Sequence, residues 1–326
     1  MTTDCAEAFR DVSTVFHCAA YVSYEFPSNF QKLQANNVQG TKNVIEHCLM
    51  NNVSNLIYTS TAEVCMKPYF RNAFFSIIIN QSEAKIPPPN DRRQLIFGDY
   101  AESKLMAEKL ILEADNQQHF SGKGRLRTTA LRPTFMYGEE DKFLIPTILN
   151  ISKKLNNQIW RIGGSGGRHQ FVYVGNVAWA HICAKRVLDE NADSIGGLPI
   201  FITDDTNITD LLYFSKNLCN TKDRDSRSVT TSSWYIPVLL SYFLFLIFET
   251  VYKYLSNVFT LPNLPISPKS FVIYLGSVIF FSRLRAIISL DYIPIYSQDE
   301  AHFRSKLFYN KLLQNECNKI EKDLVT

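Results

Sequence analysis

Short apolar runs alternate with helical runs along the chain, and this alternation constrains the fold more than any other feature. Residues 13–20 (STVFHCAA) are typical of a strand, and a helix-like stretch, NVQGTKNVIEHCLMNN, follows them after a polar loop. Two further strand-like runs, 55–61 and 126–133, flank the helical stretch YAESKLMAEKLILEAD. Parallel strands are joined through crossovers, so this order predicts an α/β fold with a doubly wound parallel sheet.

Beyond residue 134 the alternation weakens but does not stop. VYVGNVAWAHICAKRVL is typical of a strand tip that runs into a helix, and GLPIFITDD predicts one more strand. Residues 62–99 carry no clear periodicity and predict a long loop, which in a compact domain is usually functional or locally disordered. In a doubly wound sheet, ligands bind beyond the carboxyl ends of the strands, so three strand tips should converge on one crevice.

The charge and cysteine content narrow the class of partner. With 34 Lys and Arg against 31 Asp and Glu, the formal charge is +3, which is too balanced and too scattered for a nucleic-acid partner. The seven cysteines form no C-x-x-C pair, so neither a zinc site nor another metal site nor a disulfide framework is indicated. We therefore expect a small-molecule partner, and thiols that face a reducing compartment.

A long apolar segment indicates contact with a membrane. Residues 234–252 (WYIPVLLSYFLFLIFETVY) carry a single charge, Glu249, and are about long enough for a membrane helix. Tyr and Trp residues stand at its ends, where the headgroup region favours them. A buried helix of a substrate domain is the alternative. A second apolar stretch, residues 270–281, is too short to span and predicts a strand or a hydrophobic hairpin.

Tyr100 and Lys104 are spaced so that their side chains share one face of a helix. A nearby ammonium favours the phenolate form of a phenol, so Tyr100 could take the hydroxyl proton of an alcohol while hydride leaves its carbon. A hydroxyl at a neighbouring strand tip, Thr61 or Ser60, could hold the same oxygen. Taken alone, a Tyr-x-x-x-Lys pair is also common on the surface of helices.

The context makes the pair specific. The runs VFHCAA, NNVQGTKNVIEHC, LIYTSTAEV, YAESKLMAEKLILEA, LRTTALRPTFMYGE and FVYVGNVAWAH, in this order, resemble the 3β-hydroxysteroid dehydrogenase/Δ5-4 isomerase family of extended short-chain dehydrogenases. The apolar segment and the closing LDYIPIYSQDEA resemble that family too, and its members attach to the endoplasmic reticulum membrane. The resemblance implies oxidation of the 3β-hydroxyl of a steroid or sterol with NAD, with a shift of the Δ5 double bond as a further step.

The family pattern makes Tyr100 the acid/base, Lys104 its activator and a ligand of the cofactor ribose, and Thr61 the hydroxyl partner. Thr61 departs from the usual serine, and its methyl group narrows the site. Ser60 competes with it for the same role.

The same resemblance assigns the remaining cofactor contacts. It places the strand tip with His17, Ala19 and Ala20 beside the nicotinamide ribose, although a packed strand histidine is an equal alternative for His17. Asn37 matches an asparagine that orders the active-site helix, with a plain helix-start asparagine as the alternative. Pro133 and residues 134–137 match the segment that flanks the nicotinamide and the substrate. The expected cofactor-binding residues are therefore His17, Ala19, Ala20, Asn37, Ser60, Tyr100, Lys104 and Pro133.

The glycine-rich turn that anchors the pyrophosphate in extended dehydrogenases does not precede VFHCAA. Residues 163–167 (GGSGG) come after the catalytic helix and are interpreted as a flexible turn near the substrate. We therefore expect residues 1–200 to form a Rossmann-like domain that lacks its first strands and binds NAD weakly or not at all. Residues 201–326 should form the smaller substrate-binding and membrane-associated region, and the choice between NAD and NADP stays open.

Several functional alternatives remain at the level of sequence. The chain could be a 4-carboxysterol dehydrogenase, a reductase or epimerase acting on a sugar nucleotide or a flavonoid, or an inactive membrane-attached remnant that binds lipid or a full-length partner. The apolar segment favours a lipid over a soluble sugar. The sequence does not determine whether the chain forms a homo-oligomer.

Overall fold

The computed structural model describes residues 7–91, 94–163, 167–219 and 229–325. Its strands are β1 Thr14–His17, β2 Asn55–Thr59, β3 Ile77–Gln81, β4 Gln117–Gln118, β5 Arg125–Pro133, β6 Phe135–Tyr137, β7 Gln158–Ile162, β8 Arg168–His169, β9 Phe171–Tyr173, β10 Pro199–Ile202, β11 Thr230–Ile236 and β12 Val278–Phe281.

The helices follow the same order along the chain. They are α1 Phe30–Leu33, α2 Gly40–Met50, α3 Gly98–Glu113, α4 Leu144–Lys154, α5 Val174–Asn191, α6 Leu211–Cys219, α7 Val238–Ser256, α8 Pro268–Leu275, α9 Leu284–Leu290 and α10 Gln298–Val325. A π-helical turn, Gln34–Gln39, joins α1 to α2, and two 3₁₀ turns cover Ala62–Cys65 and Ala192–Ser194.

The main sheet confirms the predicted parallel, doubly wound fold. Its strands lie in the order β1-β2-β5-β10, all parallel, with β4 pairing antiparallel to β5. Successive side chains of a strand point to opposite faces, so Leu56 and Tyr58 pack with α2 and α3 on one face. Ile57 packs with α5 on the other face. The sheet therefore lies between two helical layers, and its carboxyl ends share one edge.

The C-terminal part is interleaved with the first part. The predicted loop 62–99 contains β3, which pairs in parallel with β12 from near the C-terminus, and β12 also pairs with β8. The expected boundary at residue 200 lies inside β10. Side chains from both parts form one core cluster, including Phe97, Phe135 and Tyr274. Pairing between distant segments leaves no local periodicity, which explains why β3 was missed.

Two predicted elements differ from the structure. Residues 270–281 were expected to be a strand or hairpin, but they form the end of α8 and then β12. The Ser267 side chain caps α8, and Pro268 stands in its first turn, where its fixed φ suits a helix. The apolar helix expected over 234–252 begins only at Val238, because residues 230–236 pair with β7. Residues 164–166 of the predicted glycine-rich turn lie outside the described residues.

Helix α7 is apolar and largely uncovered. It is the one helix among the described residues that is long and apolar enough to cross a membrane, and only 11% of its apolar window is buried. One face holds Ser241, whose hydroxyl accepts a 3.1 Å hydrogen bond from the Gly163 amide, and Glu249, which bonds the start of α8. The opposite face exposes Phe243, Ile247 and Val251 to solvent. The helix is therefore tied to the protein body along one side only.

Candidate active site

The carboxyl ends of β2 and β5 and the start of α3 surround one cleft of about 920 Å³, part of it open to solvent. We call it the Tyr100 cleft. Of the predicted site residues, it brings together Ser60, Thr61, Tyr100 and Pro133. The full lining is Val22, Tyr24, Ser60, Thr61, Glu63, Tyr100, Pro133, Thr134, Phe135, Met136, Tyr137, Glu139, Glu140, Asp141, Phe143, Leu144 and Val174.

Lys104 lies one helical turn after Tyr100 and is buried. Its Nζ donates a 2.7 Å hydrogen bond to the Thr59 carbonyl oxygen and lies 4.3 Å from the centre of the Tyr58 ring. Burial disfavours the charged amine and lowers the pKa of Lys104 to about 7, against the opposing effect of nearby carboxylates. Lys104 is thus held at the tip of β2 and does not itself line the cleft.

The pKa of Tyr100 shifts in the direction opposite to the one predicted from the Lys104 cation, which was expected to favour the phenolate. Burial first, and then the Glu63 carboxylate, raise the pKa of the Tyr100 phenol above its usual value. The prediction considered only the cation one turn away, whereas Glu63 approaches from a different element. Tyr100 is therefore a neutral phenol, a hydrogen-bond donor, at neutral pH.

The two adjacent hydroxyls at the tip of β2 have different partners. Ser60 Oγ donates a 2.6 Å hydrogen bond to Glu108 Oε2, and Glu108 forms a buried ion pair with Arg132 at 2.6 Å. Thr61 Oγ1 accepts a 3.3 Å hydrogen bond from the Glu63 amide and caps the 3₁₀ turn. The Ser60 proton is therefore already engaged, and Thr61 is the hydroxyl that can still donate into the cleft.

The tip of β1 supplies the other predicted contacts. His17 is buried, shares a 2.9 Å hydrogen bond with Thr41 Oγ1, and packs on the Tyr58 ring. Burial, reinforced by Lys104, lowers the pKa of His17 to about 4, so the imidazole is neutral. Ala19 is exposed and Ala20 is half-buried, so their main chain is open to a ligand. His17 lies near Lys104, and none of the three residues lines the Tyr100 cleft.

Asn37 is buried between the β1 tip and α3. Its side-chain oxygen accepts a 2.7 Å bond from the Tyr21 amide, and its Nδ2 donates to the Tyr21 carbonyl at 3.0 Å. The same Nδ2 donates to Ser103 Oγ at 2.9 Å, and Ser103 Oγ donates to the Tyr100 carbonyl oxygen. Asn37 therefore ties the first turn of α3, and with it Tyr100, to the segment after β1.

Sequence reasoning missed two residues of the cleft, Tyr24 and Glu63. The Tyr24 hydroxyl donates a 2.7 Å hydrogen bond to Glu63 Oε1, and the Tyr24 ring lies edge-on to the Tyr100 ring at 4.9 Å between centroids. Burial raises the pKa of Glu63 to about 7. A lone acid two residues after Thr61, within a buried apolar run, was a usable signal for Glu63. Tyr24 stands in a polar loop that gives no local signal.

The residues around the β1 and β2 tips fit the nicotinamide part of a dinucleotide. Lys104 is bound to the tip of β2, and the small residues Ala19 and Ala20 follow β1, the neighbouring strand. The buried Thr134 hydroxyl, which lines the cleft, has no hydrogen-bond partner among the described residues. An unpartnered buried hydroxyl is costly, and a bound ligand would supply its missing partner.

Comparison with known proteins identifies the family and supports the fold. Residues 2–233 match the 3-beta hydroxysteroid dehydrogenase/isomerase family. Among solved structures, the chain is similar to MoeE5 in complex with UDP-glucose and NAD, at TM-score 0.61 and 16% identity over 96% of this chain and 84% of that one. It is also similar to UDP-glucuronic acid 4-epimerase from Bacillus cereus in complex with UDP-glucuronic acid and NAD. That match has TM-score 0.61 and 17% identity, and covers 95% of this chain and 79% of that one. At these identities the structures establish the Rossmann-like fold.

Proposed function

Because the chain belongs to the 3-beta hydroxysteroid dehydrogenase/isomerase family, we propose that it oxidises the 3β-hydroxyl of a steroid or sterol with NAD. The observation that carries the proposal is that Tyr100 and Thr61 line one largely apolar cleft, while Lys104, one turn after Tyr100, is bound to the strand tip that carries Thr61. Tyr100 and Thr61 present two hydroxyls to the cleft, which suits an alcohol oxygen held between them.

Each residue of the site has a separate role in the proposed oxidation. Thr61 donates a hydrogen bond to the substrate oxygen. Tyr100 is a neutral phenol in the protein alone, so it must first lose its proton, which the positive charges of Lys104 and of bound NAD would favour. The phenolate then takes the hydroxyl proton of the substrate. NAD, when bound, accepts the hydride that leaves the same carbon, so the alcohol loses two electrons and becomes a ketone. Lys104 stabilises the phenolate and would bond the cofactor ribose. Asn37 keeps Tyr100 in place through Ser103.

The lining of the cleft favours an apolar substrate over a sugar nucleotide. Phe135, Met136 and Phe143 supply apolar surface, and the polar rim includes the acidic Glu139 and Asp141. Among the described lining residues there is no arginine or lysine to bind a diphosphate. Carboxylates would repel that group, whereas they do not affect a neutral steroid in the same way.

The cleft continues into a second apolar groove of about 800 Å³. The two share Val22, Tyr24, Phe143 and Leu144, and the groove extends to Ile266, ten residues after α7 ends at Ser256. This continuity supports substrate entry from a lipid phase. We propose that the exposed face of α7 attaches the protein to the endoplasmic reticulum membrane, with the cleft on the side of the reducing compartment.

The experiment is to incubate the purified chain with NAD at millimolar concentration and a 3β-hydroxy-Δ5 steroid, and to follow NADH and the 3-oxo product. Tyr100→Phe should reduce turnover on the order of 100-fold or more, because it removes the acid/base group. A 4-carboxysterol and UDP-glucuronic acid serve as alternative substrates. Turnover of either in preference to the steroid, or no 3-oxo product at all, would contradict the proposal.

A further inference from the structure

A second pocket, of about 1300 Å³ with part of it open to solvent, lies between α7 and the loops on either side of β3. We call it the α7 pocket. Its wall is completed by the start of α8 and by the residues just before α3. The described linings of this pocket and of the Tyr100 cleft share no residue. The α7 pocket is therefore a separate site, next to the helix that is proposed to contact the membrane.

Three cationic side chains line the α7 pocket: those of Lys67, Arg71 and Lys269. None of them forms an ion pair with a carboxylate in the part of the chain that the structure describes. The described lining of the Tyr100 cleft, by contrast, contains no lysine or arginine. Cations that converge on one pocket raise the local positive potential and attract an anion. The α7 pocket therefore favours a ligand with a negative charge.

Two carboxylates, Asp91 and Glu249, line the same pocket and reduce its positive charge without cancelling it. Glu249 accepts hydrogen bonds from the Ser267 hydroxyl and, at 2.9 Å, from the Lys269 amide. The Lys269 ammonium in turn lies 5.9 Å from the centre of the Tyr242 ring, within range of a cation–π contact. Tyr242 and Glu249 belong to α7, so this helix holds the Lys269 cation at its own side.

The depth of the pocket in a membrane follows from the proposed attachment through α7. Phe243, Ile247 and Val251 are on the outer, exposed face of this helix, whereas Tyr242 and Glu249 are on the inner face that lines the pocket. An interfacial helix buries its apolar face about 5–10 Å deep, and a helix is about 10 Å across. The inner face, and the pocket with it, should therefore lie at the level of the lipid phosphates.

We propose that the α7 pocket binds the headgroup of an anionic phospholipid through its phosphate. This inference rests on the proposed membrane attachment and is independent of the steroid substrate. Arg71 offers the planar fork that suits phosphate oxygens, and Lys67 and Lys269 add two point charges. A free phosphate ion has the same chemistry. The lipid is the better occupant because α7 forms one wall and because anionic lipids are concentrated in the leaflet that faces the reducing compartment.

The test is flotation of the purified chain with two kinds of vesicle, phosphatidylcholine alone and phosphatidylcholine with about 30% phosphatidylserine. Wild type should partition about 100-fold more strongly to the anionic vesicles, because each of three cations adds about fivefold. The triple variant Lys67→Gln, Arg71→Gln and Lys269→Gln should lose this preference down to about fivefold or less. Its partition to phosphatidylcholine alone should not change, since the pocket recognises charge.

The matched control removes the same charge elsewhere. Lys42→Gln, Lys109→Gln and Lys123→Gln change three exposed lysines that do not line the pocket. This variant should keep the preference within about threefold of wild type, because surface charges beyond about 10 Å are screened by salt. Circular dichroism checks that both triple variants fold. An equal loss of preference in the two variants would indicate a diffuse effect of net charge and would overturn the inference.

Two further outcomes would also overturn it. One is a wild-type chain that floats with phosphatidylcholine through α7 but gains nothing from phosphatidylserine. The other is a preference that inorganic phosphate abolishes at about millimolar concentration and constant ionic strength, which would indicate a site for a soluble anion. A wild-type chain that binds anionic vesicles through the three cations, but binds neutral vesicles not at all, would support the pocket and contradict attachment through α7 instead.

Discussion

The Lys104 ammonium donates its 2.7 Å hydrogen bond to the main-chain oxygen of Thr59, at the tip of β2 and two residues before Thr61. This bond ties the catalytic helix α3 to the strand that carries the hydroxyl partner. A change in the position of Lys104 would therefore affect both sides of the site.

Replacing Lys104 with Met should test this connection. The variant loses the bond to Thr59 and the cation that stabilises the Tyr100 phenolate, so kcat/KM for steroid oxidation should fall on the order of 100-fold or more. The unpaired Thr59 oxygen should also lower the free energy of unfolding by about 1–3 kcal/mol. Lys109→Met, an exposed position on the same helix, is the control. Retention of more than a tenth of the activity would argue against a role for Lys104.

Thr61→Val and Ser60→Ala should separate the two neighbouring hydroxyls. Thr61→Val keeps the shape of the side chain and should lower kcat strongly, with a loss of about 1 kcal/mol in unfolding free energy because the cap of the 3₁₀ turn is removed. Ser60→Ala removes a donor from the buried Glu108–Arg132 pair and should cost about 1–3 kcal/mol in unfolding free energy. Steady-state kinetics and chemical denaturation measure the two effects. If Ser60→Ala abolishes turnover while Thr61→Val does not, the assignment of the hydroxyl partner is reversed.

Glu63 should make stability depend on pH in a definite direction. Its pKa in the folded protein, about 7, is above the ordinary value of 4.5, so the folded state holds a proton that the unfolded state releases. The Glu63 contribution is therefore fully present below pH 4.5 and is lost as pH rises through 7. Glu63→Gln lacks this proton, so its stability relative to wild type should rise by on the order of 3 kcal/mol between pH 4.5 and 8.

Denaturant unfolding at several pH values measures that difference. The groups that interact with Glu63 in the fold are Tyr24, Tyr100, Tyr274 and Lys104. The three phenols stay neutral over this range, whereas Lys104 titrates near 7 and must be checked with Lys104→Met. A stability difference that does not change with pH would show that Glu63 has an ordinary pKa.

Membrane attachment should depend on the exposed face of α7. Replacing Phe243, Ile247 and Val251 with Ser removes three apolar side chains that lie one turn apart on that face. Each is worth roughly 1.5–3 kcal/mol of burial, so partition to phosphatidylcholine vesicles should fall at least about 100-fold. Flotation measures the partition. Serine should have little effect at three exposed aromatic positions elsewhere: Tyr69, Phe70 and Phe120. Equal flotation of the two triple variants would contradict attachment through α7.

The sequence by itself determined the features that local patterns encode. The alternation of strand and helix periodicity was enough for the parallel sheet, because parallel strands need crossovers. The i, i+4 spacing placed Tyr100 and Lys104 on one helical face, and the apolar run located α7 to within four residues at each end. The family likewise followed from short motifs in a fixed order.

Only the tertiary structure decided what depends on contacts between distant residues. β3 pairs with β12 about 200 residues later along the chain, so no local signal marks it. Tyr24 meets Glu63, and Ser60 meets Glu108, only because the fold brings them together. The rise in the pKa of Tyr100 also follows from burial and from Glu63, an acid on another element. Protonation depends on desolvation and on three-dimensional distance, and spacing along the chain specifies neither.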